Sequence, residues 1–183
     1  ATVDARGLHS FVCKKAPSRI AKHQLLNNMV ARALVSAGVP ASKEPVGLMR
    51  SDGKRRDGMT LIPWQAGKML VWDVTVVTTL ADSYISITAR GSGQVAEQAA
   101  SRKCSKYAAL PVPYSFLPLA FETLGPMNEA ALMFFNELGR RLSQNTGDCR
   151  ETTFLYQRLS VTLQRFNAAL FRDSFVVRDE PDL

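Results

Sequence analysis

Two aspartates set the chemical question. Asp57 and Asp73 stand 16 positions apart in KRRDGMTLIPWQAGKMLVWDVTVV, residues 54–77, a stretch that predicts a β-hairpin with one carboxylate on each strand. The following run GQVAEQAASRKCSKYAAL predicts a helix carrying Lys103, Lys106 and Tyr107, of which Lys103 and Tyr107 share a face through i, i+4 spacing. Carboxylates on paired strands can share one divalent ion. Mg²⁺ held by a few carboxylate oxygens and a phosphate makes water nucleophilic and offsets charge on the phosphorane. A nearby lysine orients that water and neutralises developing charge. The pattern therefore points to metal-dependent phosphodiester cleavage, with Asp57 and Asp73 as metal ligands. Blander roles compete: a turn residue before Gly58 for Asp57, a strand residue with backbone partners for Asp73, and a solvated helix position for Lys106.

The surrounding elements follow from periodicity. Residues 18–37 predict a helix, capped by Ser18, stopped by Gly38 and Pro40, with Ile20, Leu26, Val30, Ala33 and Leu34 as its apolar face. His23 and Asn27 lie four apart on another face, placed to contact a phosphate or each other. A short strand is expected at 43–50, then strands at 57–64 and 69–78 joined by Gln65-Ala66-Gly67. The second of these, MLVWDVTVVT, is nearly continuous in hydrophobicity and reads as a central buried strand. A charge in such a strand is costly unless paired or metal-bound, which makes Asp73 the most informative residue. A helix at 94–110, a strand at 114–121 and long helices at 127–143 and 149–172 complete the order, the last opening on a capping-box-like Asp148 and Glu151. The class is α/β, one domain.

Bulk properties narrow the partners. The net charge of +7 is uneven: residues 1–56 carry 11 Lys and Arg against Asp4, Glu44 and Asp52. A polyanion against that third is expected, with Lys14, Lys15, Arg19, Lys22, Lys54, Arg55 and Arg56 as contacts. No apolar run is long enough to span a bilayer, and three scattered cysteines make no disulfide framework, so an intracellular, reducing setting without membrane contact is expected. His9 and Cys13 are spaced like the second half of a zinc knuckle, but two ligands cannot close a tetrahedral site. Residues 1–16, which begin without methionine, read as that half-site and a linker continuing from a longer chain, and 17–183 as the domain. Nothing matches a serine-nucleophile elbow, a Walker-type phosphate loop or HExxH.

Taken together, EPVGLMRSDGKRRDGMTLIPW, LVWDVTVVTTLADSY, AEQAASRKCSKYAAL, FLPLAFETLG and LYQRLSVTLQRFNAA resemble the C-terminal region of polyproteins of animal non-LTR retrotransposons. In that family a reverse transcriptase is followed by a zinc knuckle and a restriction-like endonuclease of the PD-(D/E)XK fold. The similarity runs from about Gly7 to Ala169. It implies a restriction-endonuclease-like core of helix, three-stranded meander, helix and strand, followed by two C-terminal helices. It also implies Mg²⁺- or Mn²⁺-dependent nicking of chromosomal double-stranded DNA to prime reverse transcription in the nucleus. The element RNA and upstream polymerase would be partners, and Zn²⁺ would bind only with the missing knuckle half.

By this resemblance HSFVC supplies the knuckle ligands His9 and Cys13, and KHQLLN places His23 and Asn27 in contact with DNA. Asp57 and Asp73 are the two acidic positions, and KCSKY supplies the lysine and Tyr107, with Lys106 preferred over Lys103. Glu97 and Glu44 are outlying candidates for a third carboxylate. Two positions depart from the pattern: Arg56 replaces the proline before the first aspartate, and Thr75 stands where the general fold has its lysine. Two alternatives accompany this expectation: an inactive nucleic-acid-binding module from a decayed or domesticated element, and a domain whose basic third meets an acidic protein surface.

Overall fold

The structure is a computed structural model that describes residues 7–13, 18–46, 48, 55–107 and 110–173. Its elements run α1 (Leu8–Val12), α2 (Ser18–Ser36), β1 (Ala41–Lys43), β2 (Gly58–Gln65), β3 (Lys68–Val77), α3 (Ile85–Thr88), α4 (Gln94–Lys106), β4 (Tyr114–Glu122), α5 (Glu129–Thr146) and α6 (Glu151–Arg172). The four strands form one mixed sheet in the order β1-β2-β3-β4, antiparallel except for the parallel pair β3–β4. The α/β class and the order of elements follow the sequence reading.

The hairpin turn owes its shape to Ala66 and Gly67, both left-handed at φ 49° and 70°, a pair whose twist matches that of the strands. Within β2 the register shifts between Met59 and Pro63, because proline cannot donate to the ladder. Thr60 repairs the gap: its hydroxyl accepts the Leu70 N–H at 2.9 Å and donates to the Ile62 carbonyl at 2.8 Å. Gly58 lies flat under the Trp72 ring, and a Cβ there would sit 2.0 Å from it.

Alternation along β3 divides its side chains between two layers. Leu70, Trp72 and Val74 enter the main core with α2, α5 and α6. The smaller layer beneath α4 packs Ala96, Ala99 and Ala100 on Ala120. Asp73 belongs to neither cluster, yet it is only 4% exposed. The first turn of α4 is anchored from the end of β4, where Glu122 accepts the N–H groups of Val95 and Ala96 at 3.0 and 3.2 Å.

Several expected details differ. The first strand is Ala41–Lys43, pairing along Gly58–Thr60, whereas 44–46 and 48 of the expected 43–50 are not strand and 47, 49 and 50 lie outside the described residues. Ile20 is exposed, because the stripe of α2 is set by Leu26, Val30, Ala33 and Leu34, and Ile20 falls off its spacing. Ser18 donates to Asp173 at 2.6 Å rather than capping α2. Asp148 holds Arg150 instead of forming a box with Glu151, which pairs with Arg158 at 3.8 Å. Among the described residues, no helix is long and apolar enough to cross a membrane.

Candidate active site: two aspartates held from opposite sides of a sheet

Asp57 sits just before β2, where β2, β3 and α2 meet. Its Oδ2 accepts the Val74 N–H at 2.6 Å and a hydrogen bond from His23 Nε2 at 3.0 Å. Nε2 also lies 3.1 Å from the Val74 carbonyl oxygen. Both neighbours are acceptors, so Nε2 is the ring nitrogen that carries the proton. Asn27 Nδ2 donates to the Asp57 carbonyl at 2.9 Å, while its Oδ1 accepts the Trp72 indole N–H at 2.8 Å. A chain of contacts thus runs from the buried Trp72 ring through Asn27 to the backbone of Asp57.

Asp73 is held from the other layer. Its Oδ2 accepts hydrogen bonds from Lys103 Nζ and from the Tyr107 hydroxyl, the latter at 3.0 Å. Lys103 and Tyr107 reach it together because Lys103 lies in the last turn of α4 and Tyr107 caps that turn. Tyr107 is itself clamped, with Phe116 at 4.1 Å between ring centroids and the Arg56 guanidinium 4.4 Å over its face. Arg56 is buried, and among the described residues its Nε and Nη1 have no hydrogen-bond partner.

The electrostatics of the two carboxylates diverge. Burial pushes Asp57 up, but the His23 hydrogen bond and charge and the Val74 N–H outweigh it and hold the group below its ordinary value. The same bond to Asp57 raises His23, against its own burial. Asp73 is pushed above its ordinary value by burial and by the negative charge of Asp57, despite Lys103 and Tyr107. These are near neighbours of like charge, which is where a cation is most favoured.

The donor set can be tested for a metal on this geometry. The protein donors to each carboxylate converge on its Oδ2, and the two carboxyl groups lie within hydrogen-bond reach of each other. Mg²⁺ commonly takes one or two carboxylates, completing its shell with water and substrate phosphate. Two adjoining carboxylates fit that habit. They do not fit a closed structural site, and among the described residues no group of three His, Cys, Asp or Glu side chains is arranged for one.

Of the other residues predicted to matter, His23 and Asn27 are turned to Asp57, and Asn27 is buried. Lys106 is exposed, rotated by about 100° of helix from Tyr107, whereas Lys103 reaches Asp73. Lys22 is buried, and Arg19 and Arg55 are exposed. His9 lies on α1 and Cys13 just after it, its N–H donating to the His9 carbonyl at 2.9 Å. Lys14, Lys15 and Lys54 lie outside the described residues. Glu97 accepts the Glu129 N–H, and Glu44 donates its own N–H to the Asp57 carbonyl at 3.1 Å. Trp72 and Glu122 take supporting parts that sequence reasoning did not assign, and Arg56, expected as a polyanion contact, is buried over the Tyr107 ring. Only Glu122, an acid ending an apolar strand before a helix-rich segment, left a readable signal.

No family model and no curated protein matches this chain. Its function therefore has to be argued from the site.

Proposed function

We propose that the protein is a metal-dependent DNA endonuclease with a restriction-endonuclease-like core, derived from the C-terminal region of a non-LTR retrotransposon polyprotein. The observation that carries this reading is the adjoining pair Asp57 and Asp73, the first raising the cost of charge on the second, with Lys103 bonded to the second. The helix, three-strand meander, helix and parallel strand around them follow the order expected for that core.

A divalent cation held by these two carboxylates would supply Lewis-acid activation of water and neutralise charge on the phosphate. The chain's own residues do the rest. Asp57 is fixed in its ionised form by His23 and the Val74 N–H, so one ligand is preformed. Lys103 holds Asp73 and stands where it can also meet a phosphate oxygen as charge develops. Tyr107 sets the direction of Asp73, and Arg56 sets Tyr107. The basic N-terminal third would carry the duplex by phosphate contacts, in the nucleus and beside the element's RNA and polymerase. An inactive binding module is the competing outcome of the same experiment.

The test is nicking of supercoiled DNA in Mg²⁺ or Mn²⁺. Wild type is expected to cut, and Asp73→Ala to bind DNA without cutting. Equal cutting by both proteins overturns the site assignment. Wild type that binds without cutting under either metal makes the inactive module the correct reading.

A further inference from the structure

A cavity of about 780 Å³ opens beside the two aspartates, walled by α1, α2, the end of β3 and the turn before α3. Its lining includes Arg19, Lys22, His23, Lys103, Thr75 and Tyr84, and no aspartate or glutamate among the described residues. His23 and Lys103 are already committed to Asp57 and Asp73. Arg19 and Lys22 are different: among the described residues, neither forms an ion pair. Lys22 is 4% exposed as a residue and lines the cavity, with no protein anion paired to it among the described residues. Burial, with Arg19 beside it, pushes Lys22 down to about 8. Such an arrangement is costly unless a ligand completes it.

The charge to be matched is about two. A phosphodiester carries one negative charge, whereas a phosphate monoester carries about 1.5 to 2 near neutral pH and presents three acceptor oxygens. Hydrolysis of an internal phosphodiester joins the water oxygen to phosphorus and breaks the bond to the 3′ oxygen, which takes up a proton. The products are a 3′-hydroxyl and a 5′-phosphate monoester.

We infer that the cavity is a seat for the 5′-phosphate end of a cut strand, with Lys22 and Arg19 as its ligands. The source of that end rests on the cleavage proposed above; the affinity for a monoester rests on the cavity alone. A protein that retains this end while the 3′-hydroxyl is free keeps the nick held on one side and accessible on the other.

Fluorescence anisotropy of the full chain with one single-stranded oligonucleotide, 5′-phosphorylated or 5′-hydroxyl, tests the site in EDTA, where cutting plays no part. The phosphorylated strand is expected to bind about tenfold tighter, the scale of a charge-assisted contact. Lys22→Gln and, separately, the exposed Arg19→Gln should each bring the ratio towards one, with folding checked by thermal unfolding. Equal affinities in the wild type, or a ratio unchanged in both variants, overturn the inference. Inorganic phosphate that competes at the concentration of the phosphorylated oligonucleotide overturns the strand-end assignment in favour of free phosphate. Nicking without a 5′-phosphate preference sinks the seat alone. A preference without nicking sinks the nuclease reading alone.

Discussion

Asp57, just before β2, and Asp73, on β3, are near neighbours, yet the molecule treats them oppositely. Asp57 is gripped on the α2 side by an imidazole N–H and a backbone N–H, and its ionised form is favoured. Asp73 is buried on the α4 side, and its ionised form is disfavoured although Lys103 and Tyr107 reach it. The difference separates a carboxylate whose charge the fold favours from one whose charge a single lysine does not fully offset. Sites that push two like groups apart in this way assign them distinct roles.

The sharpest way to break the comparison is to neutralise each aspartate in turn. Asp57→Asn and Asp73→Asn should both cut nicking about a thousandfold or more, since each removes a ligand charge. Their effects on stability at pH 7 should have opposite signs. A carboxyl whose folded value is lowered contributes stability above its unfolded value, lost as pH falls through the folded one. Asp57→Asn should therefore lower the unfolding midpoint, by about 1–3 kcal/mol for the compromised contacts. A carboxyl whose folded value is raised costs stability progressively as pH rises from the unfolded to the folded value, and fully above it, so Asp73→Asn should raise the midpoint in metal-free buffer. Calorimetry on both proteins decides it, and shifts of the same sign would remove the distinction.

The lysines give the next effect. Lys103→Met should lower nicking about a hundredfold, within the span of a lost electrostatic contact, while Lys106→Met should change it by less than about threefold. The reverse ranking in single-turnover cutting would return the role to Lys106. Gly58→Ala probes the scaffold instead. Its Cβ would displace Trp72, and with it the Asn27 bridge to Asp57, at about 2 kcal/mol in denaturant unfolding. Nicking should fall too, because the Asp57 backbone loses its hold. Unchanged stability would mean that the indole moves at no cost.

This pairing of a legible site with an illegible support recurs across the molecule. The hairpin, β4, α5 and α6 announce themselves because each buries a stripe whose period is written locally. The three-residue β1 does not: Ala41, Ser42 and Lys43 pair because the edge of β2 is available, a property of the partner rather than of their own types. Lys103 and Lys106 are both visible as helical lysines. Which one reaches Asp73 depends on the rotation of α4, fixed by Glu122 from a strand not yet reached in the chain. His23 and Asn27 are legible as a pair, but Asn27 meets Trp72 across 45 positions. Arg56 departs from the expected pattern locally and packs on Tyr107, just after the distant α4.

Lys22 supplies the smallest expected effect and the finest test of how this region balances stability against binding. It is a base whose folded value is lowered to about 8, so below that pH both folded and unfolded chains keep its proton and the cost of the buried charge is fully present. Between about 8 and 10.5 the folded chain releases the proton while the unfolded chain keeps it, and the wild type gains stability as pH rises. Lys22→Met should therefore be more stable than wild type at pH 7, by about 1 kcal/mol or somewhat more, and that advantage should shrink by pH 9.5. Thermal unfolding at the two pH values measures it. If the advantage is the same at both, Lys22 is solvated through the cavity and carries no burial cost. If it shrinks, the chain keeps a destabilising cation that only an anion relieves, which is the mark of a residue retained for binding rather than for folding.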